Sequence, residues 1–285
     1  DLDGNQLVNG ADLGTLLANW GATPFGAVCA GTPAWATLLE YFPDPAVVTN
    51  PTLRAAIISA GRPWRVRDTA TQVEMVLVPP GVFVMGEVGW AEPVHSVTLT
   101  QAFYLGRYEV TQGQWVAKMG SNPSYFQGYS DSASRPVEQV SWNTIQSFLS
   151  ATGMRLPSEA EWEYACRAGT TTAFNNGSSD DATVGTIAWY NANSGSQTHA
   201  VGGKAANALG LHDMAGNVWE WVNDWYEGYS SGAQTNPLGP VSGNYRVFRG
   251  GSWYGGANFV RSSYRDNFAP VNAYSFIGFR VARAP

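Results

Sequence analysis

The first twelve residues carry side-chain oxygens at a spacing that could wrap a cation. Asp1, Asp3, Asn5, Asn9 and Asp12 fall at loop positions 1, 3, 5, 9 and 12, with the Leu7 carbonyl between them as a backbone ligand. A hard cation such as calcium takes roughly six to eight oxygens, and this spacing supplies them. The alternative is an acidic turn without metal, and Gln6 stands where such loops favour glycine. Softer chemistry is sparsely supplied. Cys29 and Cys166 permit at most one disulfide, and Cys166, in an expected helix beside Trp162 and Ala165, reads as a small buried apolar residue. His95, His199 and His212 include no pair at metal-ligand spacing, and His95 falls on the polar register of a strand, where it is expected at the surface. Ser252 has no histidine or acid placed by the sequence to activate it, and no Gly-rich phosphate loop occurs.

A second group lies between Tyr245 and Arg280. The run Tyr-Arg-Val-Phe-Arg-Gly-Gly-Ser-Trp253 and the run Ile277-Gly-Phe-Arg280 frame a stretch with neither helical nor strand period. Inside it Tyr254, Phe259, Tyr264, Phe268, Tyr274 and Phe276 alternate with Gly, Ser, Asn and Asp. Rigid rings supply contact area and small polar residues supply adaptable hydrogen bonds, which is the composition of a recognition surface. An aromatic loop packed on its own domain is the alternative.

The elements that would hold these residues are short. Charged residues are 13% of the chain, about half the usual share, whereas Trp 12, Tyr 13, Phe 12, Gly 32 and Pro 16 are plentiful. This suits a compact, loop-rich α+β domain with a small appendage. The net charge of −6, with no Lys/Arg cluster, argues against a nucleic-acid partner. No apolar run approaches the ~18 residues of a membrane span. No Met or apolar leader precedes Asp1, so any signal peptide is expected to lie outside these residues.

Residues 1–23 read as the cation loop followed by an amphipathic helix with Leu13, Leu16, Leu17 and Trp20 on one face. Residues 24–72, punctuated by proline, read as a packed linker with short helices at 34–39 and 51–60. Residues 73–285 form the main domain. Strand-like runs flank Pro79-Pro80-Gly81 and continue at 94–100 and 103–110. Thr111 with Gln114, and Ser158 with Glu161, form capping boxes; Ser141 caps the helix carrying Trp142, Ile145, Phe148 and Leu149.

Four blocks then fall in order: Arg155-Leu-Pro-Ser-Glu-Ala-Glu-Trp-Glu-Tyr-Ala165, Gly210-Leu-His-Asp-Met-Ala-Gly-Asn-Val-Trp-Glu-Trp221, Arg249-Gly-Gly-Ser-Trp253 and Gly278-Phe-Arg280. Together they resemble the signature blocks of the formylglycine-generating-enzyme, or sulfatase-modifying-factor, family, over roughly 74–284. The first twelve residues resemble one of the two repeats of a dockerin module. The family resemblance implies a C-type-lectin-like fold with short helices and small antiparallel sheets. It also implies structural calcium, held by the side chains of Asp213 and Glu220 with the carbonyls of Gly216 and Val218; turn and capping roles for the two acids are the alternative. A second family calcium site would fall near Asn191 to Asn193, where the match is not clear. The family's enzymes hold copper through two cysteines just after the Gly-Gly-Ser-aromatic block. This chain has none between Tyr254 and Val260, so neither copper nor catalysis of that kind is expected.

The segment 254–277 further resembles the variable region of proteins diversified by retroelements, whose mutable codons end in C and cannot encode Lys, Glu, Gln, Met or Trp. None of those five types occurs in the segment. The resemblance implies ligand contact by Tyr254, Gly255, Gly256, Asn258, Phe259, Tyr264, Asp266, Asn267, Phe268, Val271, Asn272, Tyr274, Ser275 and Phe276. Trp253, Arg261, Ser262, Arg265 and Pro270 would be scaffold. The expected protein is a bacterial secreted or cell-surface binder of a protein or glycan on a cell or phage surface. The alternative is an oxidoreductase of the family with a metal or cofactor not recognisable from sequence.

Overall fold

The structure, a computed structural model, describes residues 31–285. The expectations at Asp1, Asp3, Asn5, Leu7, Asn9 and Asp12, and at Cys29, lie outside the described residues. Segment 34–39 is not helical: Ala36–Glu40 forms strand β1, antiparallel to β2 (Arg65–Asp68). The pairing edge of β2 and the packing of Trp35 against Tyr104 override a weak local helix preference. The second expected helix is present as α1 (Pro51–Ser59), where the Asn50 side chain accepts from the amides of Thr52 and Leu53 and Pro51 opens the first turn. The supposed linker is therefore part of the domain, since β2 pairs with β3 (Glu74–Val78) across the boundary at 72–73.

Among the described residues, twelve strands form three sheets. One has the order β1-β2-β3-β6-β12, with β6 at Phe103–Gly106 and β12 at Ala282–Arg283. A second has the order β4-β5-β8, from Gly81–Glu87, Ala91–Leu99 and Gln234–Thr235. The third, β10-β9-β7-β11, is built from Arg265–Phe268, Arg246–Arg249, Trp219–Trp225 and Ile277–Phe279. The five-stranded sheet is antiparallel throughout, whereas the other two are mixed: β11 runs parallel to β7, and β8 parallel to β5. Three helices complete the domain, α2 (Gln112–Met119), α3 (Trp142–Thr152) and α4 (Glu159–Arg167). Both capping boxes form, at Thr111/Gln114 and Ser158/Glu161, and Ser141 caps α3.

The core is aromatic. Trp115 stacks on Phe148 at 5.5 Å, and Phe279 meets both rings edge-on. Ion pairs are buried within it. Arg249 and Arg280 are fully buried; Arg249 grips Glu159 and Glu163, and Arg280 grips Glu220. Cys166 is buried, as expected. His95 is not at the surface but 7% exposed, its ring 5.0 Å from Tyr229 and its Nδ1 3.0 Å from the Pro93 carbonyl. It lies on the inward register of β5, where a ring and a carbonyl compensate its burial.

Candidate functional site

Strand β10 is the hinge of the site because it has two faces and, among the described residues, one unpaired edge. Successive strand residues point to opposite sides. Arg265 turns toward the protein and makes a two-nitrogen contact with Glu159 at 2.7 and 2.6 Å. Asp266 and Phe268 turn the other way; Asp266 sits across from Phe248 of β9, whose ring stacks on Phe268 at 4.9 Å. Trp219 of β7 meets Phe248 edge-on at 5.0 Å. These residues, with Trp253, Phe259 and Phe276, wall a cavity of about 630 Å³. That volume lies within the range of small-molecule and side-chain pockets.

The wall opposite β10 depends on a tight turn. Gly250 and Gly251 have φ of 98° and 75°, and a Cβ on Gly251 would lie 2.5 Å from the Val260 side chain. Only glycine lets the chain leave β9 and double back over the helical turn Ala257–Val260. The following loop is pinned from behind: Ser194 Oγ donates to the Trp253 carbonyl, Asn191 N donates to Gly255 O, and Trp253 Nε1 donates to Ser275 O. Arg261 is held by Glu87. Arg261 and Arg265 thus pair with acids of the scaffold, as expected of them.

The contact positions inferred from sequence divide into three groups. Tyr254, Gly255, Gly256, Phe259, Asp266, Phe268 and Phe276 line the cavity. Asn258, Val271 and Tyr274 are exposed, and Tyr274 stacks on Phe276 at 5.1 Å, so it continues the aromatic wall outward. Asn272 lies beside it, with Nδ2 3.4 Å from the Tyr274 hydroxyl. The rest face elsewhere: Asn267 lies on the Arg265 side of β10, Ser275 is engaged through its carbonyl, and Tyr264 packs between Phe259 and Trp90. Nothing in the residue pattern marks Trp219, Phe248, Asn191, Ser196 and Ser252 as lining residues, and it places Trp253 in the scaffold alone. The Trp219-Glu-Trp221 alternation marks a strand, but only the register of β7 beside β9 shows where its rings go.

The acids implied as calcium ligands do not meet in an oxygen cage. Both Glu220 oxygens are committed, to Arg280 at 2.6 Å each and to Trp162 Nε1 at 2.7 Å. Asp213 Oδ2 accepts from Gly202 N at 2.6 Å, and its Oδ1 is buried without a partner. Burial pushes the Asp213 carboxyl up to about 6. The turn that carries the Gly216 and Val218 carbonyls is held by its amides, Gly216 N donating to Gly250 O and Val218 N to Glu109. A cation at this turn would have to displace the guanidinium that already supplies the positive charge, so this arrangement does not fit calcium through Glu220. Among the described residues no three His, Cys, Asp or Glu side chains are grouped to hold a metal ion. At the second implied position Asn193 spends its amide on Tyr190 N and Ala188 O, closing a turn.

Nucleophiles are equally committed. Burial raises the Cys166 thiol to about 11, and its sulfur points at the Met214 carbonyl. His199 and His212 bond the carbonyls of Ser194 and Lys204.

Residues 64–285 match the Sulfatase-modifying factor enzyme 1-like domain. The chain is 30% identical over 276 residues to Chaperone protein LppX of Paenibacillus barcinonensis, covering 76% of this chain and 91% of that protein. It is 33% identical over 187 residues to the formylglycine-generating enzyme of Mus musculus, covering 59% of this chain and 50% of the enzyme. Serine/threonine-protein kinase pkn1 of Chlamydia caviae is 34% identical over 240 residues, and the chain spans 38% of its length. Among solved structures, Treponema denticola variable protein 1 superposes with a TM-score of 0.71 at 31% identity, over 76% of this chain and 98% of that one. PvdO from Pseudomonas aeruginosa superposes with a TM-score of 0.66 at 30% identity, over 78% and 98%.

Proposed function

The chain belongs to the sulfatase-modifying factor enzyme 1-like family, with a C-type-lectin-like fold, and from that premise we propose that it is a non-catalytic ligand-binding protein. The observation that carries the reading is the aromatic cavity of about 630 Å³ opening between β10 and the 253–259 loop. The stretch 254–260, where the family's copper enzymes are expected to carry thiolates, has no cysteine; Gly255 in it lines that cavity, and Val260 is buried. The rings converge on a space where nothing is poised to react but much apolar area is available, the arrangement of a recognition pocket. Tyr254, 71% exposed, and Val271, 69% exposed, extend the apolar face beyond its rim.

We read residues 254–276 as a diversified face of the kind retroelements generate. The composition of the segment supports this, as does the likeness to a Treponema denticola variable protein along nearly all of that chain. Side chains in the segment vary at low cost where the frame around them is held independently. The ligand would be a protein or glycan on a cell or phage surface, met by a secreted or surface-displayed bacterial protein. No helix among the described residues is long and apolar enough to cross a membrane.

The test is a triple replacement, Tyr254→Ala, Phe259→Ala and Tyr274→Ala, compared with the unaltered protein for retention on fixed bacterial cells and on a glycan array. Loss of retention with a nearly unchanged melting transition is expected. A collapsed melting transition would show that the rings are core, and unchanged retention would place the binding face elsewhere. A near-identical template repeat beside a reverse transcriptase gene is the genomic counterpart.

A further inference from the structure

Within the aromatic cavity, Asp266 is the one acidic side chain among the lining residues. Its Oδ1 accepts only from the neighbouring Asn267 amide at 2.8 Å. Among the described residues it has no ion-pair partner, whereas the arginines nearest in sequence are taken: Arg265 by Glu159, Arg261 by Glu87. Elsewhere in the core, Glu220 and Glu163 lie beside rings and are each matched with a guanidinium. The aromatic wall raises the Asp266 carboxyl above its ordinary value by desolvation, so the pocket lacks a cation that would stabilise its ionised form. Faces of Trp and Phe attract cations through their quadrupole. Trp219, Trp253, Phe248, Phe268 and Phe276 line the space on which Asp266 opens.

We propose that the pocket selects a basic side chain of a protein partner, arginine above all, which stacks its guanidinium on the rings and pairs with Asp266. This rests on the ligand-binding reading of the same cavity and narrows it. A planar guanidinium stacks on aromatic faces and offers two parallel donors to a carboxylate, which a compact ammonium cannot. A protein source follows from the rim: Tyr254, Val271 and Tyr274 offer exposed apolar area outside the pocket that a free small cation would leave uncovered. The net charge of −6 favours approach of a basic partner.

The experiment titrates 15N-labelled full chain with N-acetylarginine amide, N-acetyllysine amide, choline and 3,3-dimethylbutanol, the neutral isostere of choline. The indole Nε1–H resonances report binding, with that of Trp253 assigned from Trp253→Phe. The arginine amide is expected to bind about tenfold or more tightly than the neutral alcohol and ahead of the other two cations. Asp266→Asn should remove that preference while leaving the remaining indole resonances in place. Equal binding of the neutral alcohol overturns the charge selection but leaves the cavity as a ligand site. Choline outranking arginine overturns the commitment to a protein side chain. No resonance moving with any probe overturns the inference, while retention of the unaltered protein on cells would still uphold the broader binding role. If Asp266→Asn fails to fold, the ranking of the four probes on the unaltered protein decides alone.

Discussion

The two faces of β10, about one residue apart, are opposite in design. On one side Arg265 joins Glu159, Arg249, Glu163 and the Tyr229 hydroxyl in a buried network of charge pairs. On the other Asp266 and Phe268 open onto a cavity with one acidic side chain and a ring of aromatic walls. The closed side uses directional charge pairs to fix the backbone. The open side keeps its polar capacity unspent and therefore available to a ligand. A binding surface that must tolerate change needs this separation, because a buried pair that loses one partner leaves an uncompensated charge.

Breaking the closed side should have the largest effect. Arg280→Ala strands the fully buried Glu220 and removes its two contacts at 2.6 Å, at an expected cost of about 3–5 kcal/mol in denaturant unfolding. A cost within ~1 kcal/mol would mean that Glu220 is met by another cation, and calcium would then be the first to test. An intermediate effect is expected at the turn joining the two regimes. Gly251→Ala must accept φ of 75° and a Cβ 2.5 Å from Val260, and should cost about 1–3 kcal/mol. It should also weaken ligand retention, because the 253–259 loop leaves from that turn.

The smallest effect is a pH signature. Burial, then the nearby Glu159, push the Asp224 carboxyl up to about 8, against 3.8 ordinarily. Between those values the folded chain holds a proton that the unfolded chain has released, so this group makes stability fall as pH rises through that window. Asp224→Asn should therefore gain on the unaltered protein in thermal melts from about pH 4 to about pH 8. Glu159 contributes in the opposite sense. Burial alone would raise it, but Arg265 and Arg249 hold it below its ordinary 4.5, so its contribution is lost in acid. A pH-independent difference between the two proteins would show Asp224 ionised in the fold.

What could be read from the chain followed how local the signal is. Thr111/Gln114 and Ser158/Glu161 close their boxes within three residues, and both helices begin where those residues predict. The fold was legible in four spaced blocks, because Arg249 and Arg280 sit in them as buried charge partners. Segment 34–39 reads as helix from its own residues, whereas the strand at Ala36–Glu40 depends on β2, about 25 residues away, a pairing that nothing local announces. His95 was misplaced by one register step, which is enough to exchange solvent for core. The rings of the 254–276 segment were visible as composition, but Trp219 and Phe248, which complete the cavity, come from β7 and β9. Their role is a matter of sheet register across the domain.

Because β10 pairs only with β9 among the described residues, its outer edge and its period of two divide labour at single-residue resolution. A combinatorial library on this scaffold would randomise positions 266 and 268 and spare 265, retargeting the protein without reopening the question of whether it folds.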